Sequence, residues 1–335
     1  MQNKALPIVS VVIPMFNVGK YIQQCLDSVL SQSFRNFEVL CVDDGCTDDT
    51  LNIVNQYTDP RIKLIQQRNR GLSGARNTGI FAAKGLYVAL LDADDFWAPD
   101  KLKLHVKHLN ENPHIDVSYS PSVFVNEAGE PLGIGQFPRL QNISFKHVVC
   151  RNPVGNGSAP VIRRYALLGH KKLSETVGRK EIFNESLKQS EDIEMWVRMA
   201  EQKDNSFEGI PQPLTFYRVN NSGLSANMDK QYNAWFRAIS ALKSKSTKIS
   251  NSMFSLAQAY QYRYLARRAI QSGDASKALK LIHKALFCNP RIMFEETGRT
   301  LVTYCCAFLV IAPRGFYQQL ENVAMRLTAA NAKRY

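Results

Sequence analysis

The sequence lacks several patterns by which common chemistries are recognised. Its seven cysteines include no C-x-x-C spacing, and an odd number without that spacing suits neither a disulfide framework nor a zinc site. A reducing, cytoplasmic-facing compartment is therefore expected. No G-x-G-x-x-G follows the first apolar run, where Pro14-Met15-Phe16-Asn17-Val18-Gly19 stands instead, which argues against a nucleotide-binding dehydrogenase. A serine hydrolase is disfavoured too, since the G-x-S-x-G elbow is missing. Long apolar runs are scarce. Ile8–Ile13 stops at Pro14 and reads better as a strand than as a secretion signal. Leu301–Ala312 is a run of twelve uncharged residues, whereas a membrane-spanning helix needs about 20.

What is present begins with size and order. A chain of 335 residues, 45% of them hydrophobic, can bury a substantial core and suggests about two domains. Apolar runs at Ile8–Ile13, Glu38–Val42, Arg61–Ile65 and Leu86–Leu91 alternate with helical stripes. One stripe comprises Tyr21, Ile22, Cys25, Leu26, Val29 and Leu30, and another Leu51, Val54 and Tyr57. This alternation predicts an α/β fold with a mostly parallel sheet covered by helices. Ligands of such sheets bind beyond the carboxyl ends of the strands. Polar clusters stand at all four of those ends: Pro14-Met15-Phe16-Asn17, Asp43 to Asp48, Arg68 to Asn77, and Asp92-Ala93-Asp94-Asp95. In an extended chain residues i and i+2 point the same way, so Asp92 and Asp94 are expected to converge on one divalent cation. The competing reading of the acidic run is a loop that caps the next helix.

Ser10-Val11-Val12-Ile13-Pro14-Met15-Phe16-Asn17, Asp43-Asp44-Gly45-Cys46-Thr47-Asp48, Arg68-Asn69-Arg70-Gly71-Leu72-Ser73-Gly74-Ala75-Arg76-Asn77 and Asp92-Ala93-Asp94-Asp95 together resemble the ordered signature of family 2 inverting glycosyltransferases. Those enzymes have the GT-A fold. The resemblance covers roughly residues 7 to 225 and departs at Cys46, where the family more often carries serine.

The resemblance implies roles that residue chemistry supports. Phe16, between Pro14 and Asn17, offers a flat apolar face to a nucleobase, and Asp44 can accept a hydrogen bond from a base N–H such as that of uracil. Core packing for Phe16 and turn formation for Asp44 are the alternatives. Arg76 is expected on base or phosphate oxygens. Asp94 is the expected direct ligand of Mn²⁺ or Mg²⁺, with Asp92 assisting through ribose or water, and Asp95 begins the next loop. The pair Glu191-Asp192 lies where the family carries its catalytic base. Asp192 is preferred and Glu191 is second, although a serine-capped helix start explains the same residues. Tyr217 and Arg218 are placed near the rim, with Arg218 a candidate diphosphate contact, before a turn at Asn220-Asn221-Ser222-Gly223. The segment Asn152–Pro160 is either an acceptor-side loop or plain punctuation. His105 and His108 share a helix face, and solvated surface histidines are favoured there over metal ligands.

Residues 240–335 hold fifteen Lys and Arg against four Asp and Glu, which leaves +11 of the formal +13. Anionic membrane lipid is the favoured partner of that surface, with nucleic acid not expected and simple solubility as the bland alternative. The tail reads as helical. Residues 257–290 resemble one tetratricopeptide-type hairpin, followed by the apolar run and by Phe316, Tyr317, Leu320, Val323, Ala324 and Leu327 at amphipathic spacing. The expectation is thus a GT-A-like nucleotide-binding catalytic domain at 1–240 and a basic helical region at 241–335. It would act as a metal-dependent, inverting, hexosyltransferase-type enzyme. Its donor would be a nucleotide sugar, UDP-linked, and its acceptor a glycan or lipid-linked saccharide in surface polysaccharide synthesis. Peripheral attachment to the inner face of the cytoplasmic membrane, or homo-oligomer formation, would engage the tail. The rival reading is a non-catalytic nucleotide-binding protein whose tail is an interaction module.

Overall fold

A computed structural model of the chain describes residues 6–170, 172–173, 180–203, 206–219 and 227–309. The expected turn at 220–223, the end of the apolar run and the amphipathic stretch from Phe316 onward lie outside these residues. The chain divides into two compact units, residues 1–148 with 152–226, and residues 149–151 with 227–335.

In chain order the first unit's strands are β1 (Val9–Met15), β2 (Phe37–Asp43), β3 (Ile62–Gln66), β4 (Tyr87–Leu90), β5 (Phe96–Trp97), β6 (Val117–Tyr119), β7 (Ser122–Val125), β8 (Pro131–Gln136), β9 (Val161–Arg163), β10 (Lys172–Leu173), β11 (Lys180–Glu181), β12 (Phe207–Gly209) and β13 (Thr215–Arg218). Its helices are α1 (Ile22–Leu30), α2 (Thr50–Asn55), α3 (Gly71–Ala82), α4 (Lys101–Glu111), α5 (Phe145–Cys150), α6 (Arg164–Gly169) and α7 (Glu191–Gln202). Seven strands form one sheet in the order β12-β6-β9-β4-β1-β2-β3. β1 to β4 run parallel, while β9 is antiparallel to both β4 and β6. Every residue of β1 and β2 is buried, as expected of strands covered on both faces. α1 buries Ile22, Cys25, Leu26 and Val29 against them. α3 approaches β1 so closely that a Cβ on Gly79 would lie 2.3 Å from Val12 Cγ1. Only glycine permits that contact, which seats Arg76 above the sheet edge.

A second sheet, β5-β13-β7-β8, places β13 antiparallel to β5 and parallel to β7. It lies directly downstream of the acidic run.

The second unit is helical, with α8 (Met228–Lys243), α9 (Asn251–Gln271), α10 (Ala275–Cys288), α11 (Arg291–Glu295) and α12 (Thr297–Leu309). Alanines let α9 and α10 pack closely: Ala259, Ala266 and Ala269 meet Ala278, Leu281, Ile282 and Ala285 in one buried cluster. Gly273 takes a φ of +75° in the connection, and Asp274 caps α10 by accepting from Lys277 N (2.9 Å). No described helix is long and apolar enough to cross a membrane.

Candidate active site

The parallel strands bring the expected clusters to one edge. Met15 pairs in register with Asp43, and Asp44 N donates to Met15 O (2.9 Å), so the residues after β1 and β2 are neighbours. Phe16 is 51% exposed, which removes the core-packing alternative for it. Asp44 is buried, and its Oδ1 accepts from Arg70 N (2.8 Å) and Gln67 Nε2 (2.6 Å). Turn formation around it falls instead to Asp43, whose Oδ1 accepts from Gly45 N and Cys46 N (3.1 and 2.8 Å). Asn17, at a φ of +53°, accepts from Thr47 N (2.8 Å) and joins the two loops. Pro14, by contrast, is buried within β1 opposite Val42, so it shapes the strand rather than offering surface to a ligand.

Arg76 departs from its expected role. Its side chain is 2% exposed; Nη1 donates to Glu191 Oε1 and Nη2 to Asp92 Oδ1, each at 2.7 Å. Burial works against its charge, yet Asp92 and Glu191 together hold its pKa above the ordinary arginine value. A guanidinium bound to two carboxylates is a tie between α7 and the acidic run, and its buried Nε has no hydrogen-bond partner among the described residues.

The acidic run is also not extended. β4 ends at Leu90, and Asp95 N donates to Asp92 O (3.0 Å), closing a turn over Ala93-Asp94. The turn, rather than strand alternation, brings Asp92 and Asp94 together. Asp95 is buried, accepting from Ser158 Oγ (2.5 Å) and Arg218 N (2.8 Å), so it braces this turn. Asp94 differs: its carbonyl accepts from Arg218 Nε (2.8 Å), while no other described residue donates a hydrogen bond to its carboxylate. Burial, and then the charge of Asp92, pushes Asp94 up to about 6. A half-buried carboxylate held beside another, with no donor from another described residue, has the chemistry of a hard-cation ligand. Among the described residues no cluster of three or more His, Cys, Asp or Glu cages a metal. The residues therefore fit an ion held by one or two carboxylates and completed by water or substrate phosphate.

Arg218, expected on the diphosphate, is buried. Besides Asp94 O, it donates to Asn126 O (2.9 Å), Glu127 O (2.5 Å) and Gln24 Oε1 (2.6 Å), which makes it a strut beneath the Asp94 turn. Tyr217 packs on Phe124 with ring centroids 5.7 Å apart.

α7 begins at Glu191 without the expected serine cap: Ser190 sits at a φ of +63° and its side chain makes no capping bond. Asp192 Oδ2 accepts from Asn152 Nδ2 (3.1 Å) and its Oδ1 from Ile193 N (2.8 Å). Burial raises Glu191 to about 7, with Arg76 opposing and Asp192 adding to the rise. Burial also raises Asp192, again against the pull of Arg76.

The segment 152–160 is neither punctuation nor a free loop. Ser158 Oγ accepts from Asp92 N (3.0 Å) while donating to Asp95, and Ser158 O accepts from Trp97 Nε1 (2.9 Å). The buried Lys101 donates to Ala159 O (2.7 Å), and burial pushes its pKa well down. His105 is buried and His108 nearly so; both bond to Ser118 Oγ (2.7 and 2.8 Å), and His108 also to Glu208 (3.0 Å), so neither is a solvated surface histidine. Asn152, Ser158 and Lys101 were missed because single polar residues in a turn-rich stretch or on a helix carry no spacing signal.

Gly157 lies against the Arg76–Asp92 pair, where a Cβ would sit 2.2 Å from Arg76 Nη2 and 2.6 Å from Asp92 Oδ2. Because two carboxylates pin Arg76, neither neighbour yields cheaply. Gly157→Ala is expected to destabilise the protein by about 1–3 kcal/mol and to weaken nucleotide binding, read by thermal melting and nucleotide titration.

Residues 10–166 match the family model Glycosyl transferase family 2. Over that stretch the chain is similar to the family 2 glycosyltransferases. Chondroitin synthase of Escherichia coli is 30% identical over 201 residues, covering 59% of this chain and 27% of that protein. The UDP-Glc:alpha-D-GlcNAc-diphosphoundecaprenol beta-1,3-glucosyltransferase WfgD, also of Escherichia coli, is 29% identical over 227 residues, covering 67% and 82%. A mannosyltransferase from Pyrobaculum calidifontis, solved with GDP-Man and Mn²⁺, superposes with a TM-score of 0.55 at 20% identity over 92% of this chain and 87% of that one. The last likeness shows the fold alone. The chain spans between 19% and 34% of the length of the first curated relatives it matches.

Proposed function

We propose that this chain transfers a single sugar from a nucleoside-diphosphate donor, UDP-linked, to a hydroxyl of a glycan or lipid-linked saccharide during surface polysaccharide synthesis, with inversion at the anomeric carbon. The observation that carries the reading is the charge-linked group Asp94, Asp92, Arg76, Glu191 and Asp192, assembled from three separate segments at the edge where Phe16 is exposed and Asp44 stands. Phe16 stacks on the base, and Asp44 accepts from a base N–H. Asp94, with Asp92, would hold Mn²⁺ or Mg²⁺, which supplies charge neutralisation at the departing diphosphate when bound. Asp192 removes the proton of the acceptor hydroxyl as that oxygen attacks. A single base and no second carboxylate nucleophile accord with direct displacement.

The activities of the two Escherichia coli relatives support a glycan or lipid-linked acceptor, and the UDP-Glc donor of WfgD supports UDP. The α9–α10 hairpin supports a tetratricopeptide-like reading of 257–290, and the basic excess supports peripheral attachment to an anionic surface at the inner membrane face. Incubating the chain with a panel of nucleotide sugars and Mn²⁺ is expected to release free UDP from one UDP-sugar. That release should fall to background with chelator; failure across UDP, GDP and dTDP sugars with an acceptor extract present would reject the reading.

A further inference from the structure

The second unit carries a group of arginines that sugar transfer does not employ. Arg263 on α9 is 4% exposed; its Nη1 donates to Thr300 Oγ1 (2.7 Å) and its Nη2 to Glu296. Arg151 donates to the same Glu296 carboxylate. Both guanidiniums lie over the ring of Tyr260, at 5.0 and 4.8 Å from its centroid. The Tyr260 hydroxyl in turn donates to Glu295 (3.2 Å). One carboxylate is thus shared by two arginines, and the buried Nε of Arg151 has no hydrogen-bond partner among the described residues. Arg267, one turn along α9, and Arg299 in α12 add two further charges that act on this pair. Among the described residues neither of these guanidiniums makes a hydrogen bond or an ion pair.

Four guanidiniums against Glu295 and Glu296 leave an excess of two positive charges in one place. Holding like charges together in partly buried surroundings is unfavourable, and packing alone does not require it. Burial first, and then the neighbouring arginines, bring Arg263 down to about 10. A solvated face would spread its cations apart. An anion of charge near −2 with several acceptor oxygens would relieve both the repulsion and the unpartnered donors, and planar guanidinium forks match phosphate oxygens in pairs.

We propose that Arg151, Arg263, Arg267 and Arg299 form a second binding site on this chain, for a phosphate- or diphosphate-bearing ligand. All four residues belong to the second unit, and the inference does not depend on the sugar-transfer reading. Its ligand would be either a soluble diphosphate or the phosphate of a lipid head group.

The test uses the full chain and the double variant Arg267→Gln/Arg299→Gln, which removes only exposed side chains that make no hydrogen bond or ion pair among the described residues. Circular dichroism and UDP titration of both proteins serve as controls for folding and for the first site. Inorganic pyrophosphate is expected to bind the wild type saturably in calorimetry, and the double variant at least tenfold more weakly, with UDP affinity unchanged. Flotation with phosphatidylglycerol vesicles distinguishes the source. A parallel loss of vesicle binding in the variant assigns a lipid phosphate, whereas unchanged vesicle binding assigns a soluble or diphosphate-linked ligand. Equal pyrophosphate affinity in the two proteins, or no saturable binding to either, would overturn the proposal.

Discussion

Asp192→Asn is expected to lower turnover by about 10² to 10⁴-fold, the usual loss on removing a positioned base, while nucleotide affinity stays within about twofold. The substitution keeps the shape of the side chain and the Asn152 contact region but removes the proton acceptor. Glu191 is the competing candidate, since burial raises it to about 7, a value well suited to a base working near neutrality. Its Oε1, however, is bound to Arg76. Glu191→Gln should therefore act mainly by loosening Arg76 and Asp92, raising KM for the donor more than it lowers kcat. The pH profile adds an independent check. The base works only when ionised, and burial raises Asp192, so activity should climb with pH along a limb set above the ordinary aspartate range. Turnover above roughly a tenth of wild type in Asp192→Asn, with a large loss in Glu191→Gln, would transfer the role to Glu191.

Arg76→Met should produce the largest loss of stability, about 3–5 kcal/mol, because it strands the buried Glu191 and the half-buried Asp92 carboxylates that the guanidinium now neutralises. A fall in Tm on the order of 10 °C is expected for a unit of this size. The sign of its pH dependence follows from the same charges. Without Arg76, Glu191 loses the partner that opposes its rise, so its folded pKa moves further above the unfolded one. A raised carboxylate disfavours the folded state once pH exceeds its folded pKa, and that penalty disappears below the unfolded value. The gap between variant and wild type should therefore be widest near pH 8 and narrow towards pH 4 in parallel melts. A gap that is constant over that range would mean that Arg76 acts through packing alone.

Much of the scaffold was legible because apolar runs and polar clusters are local. The strands at Val9–Met15, Phe37–Asp43, Ile62–Gln66 and Tyr87–Leu90 follow the four runs, and each polar cluster follows its strand as expected. β13 falls within the segment Pro213–Arg218 that reads as a strand, whereas the antiparallel β9 and the strands β5, β7 and β8 were not legible, since strands of two to six residues carry too little pattern to register. Arg76 and Arg218 illustrate the same limit at the site. Their positions in motifs suggested ligand contacts, yet both are buried on protein acceptors.

The sequence by itself determined the alternating α/β order, the placing of Phe16, Asp44, Asp92 and Asp94 at strand ends, and the concentration of basic charge after residue 240. Each of these depends on neighbours in the chain. Tertiary structure alone decided which charges meet: Arg76 with Asp92 and Glu191, Asn152 with Asp192, Ser158 with Asp95, and Arg151 with Glu296. A buried ion must find its partner wherever the fold supplies one, and those partners lie 16, 115, 40, 63 and 145 residues away along the chain.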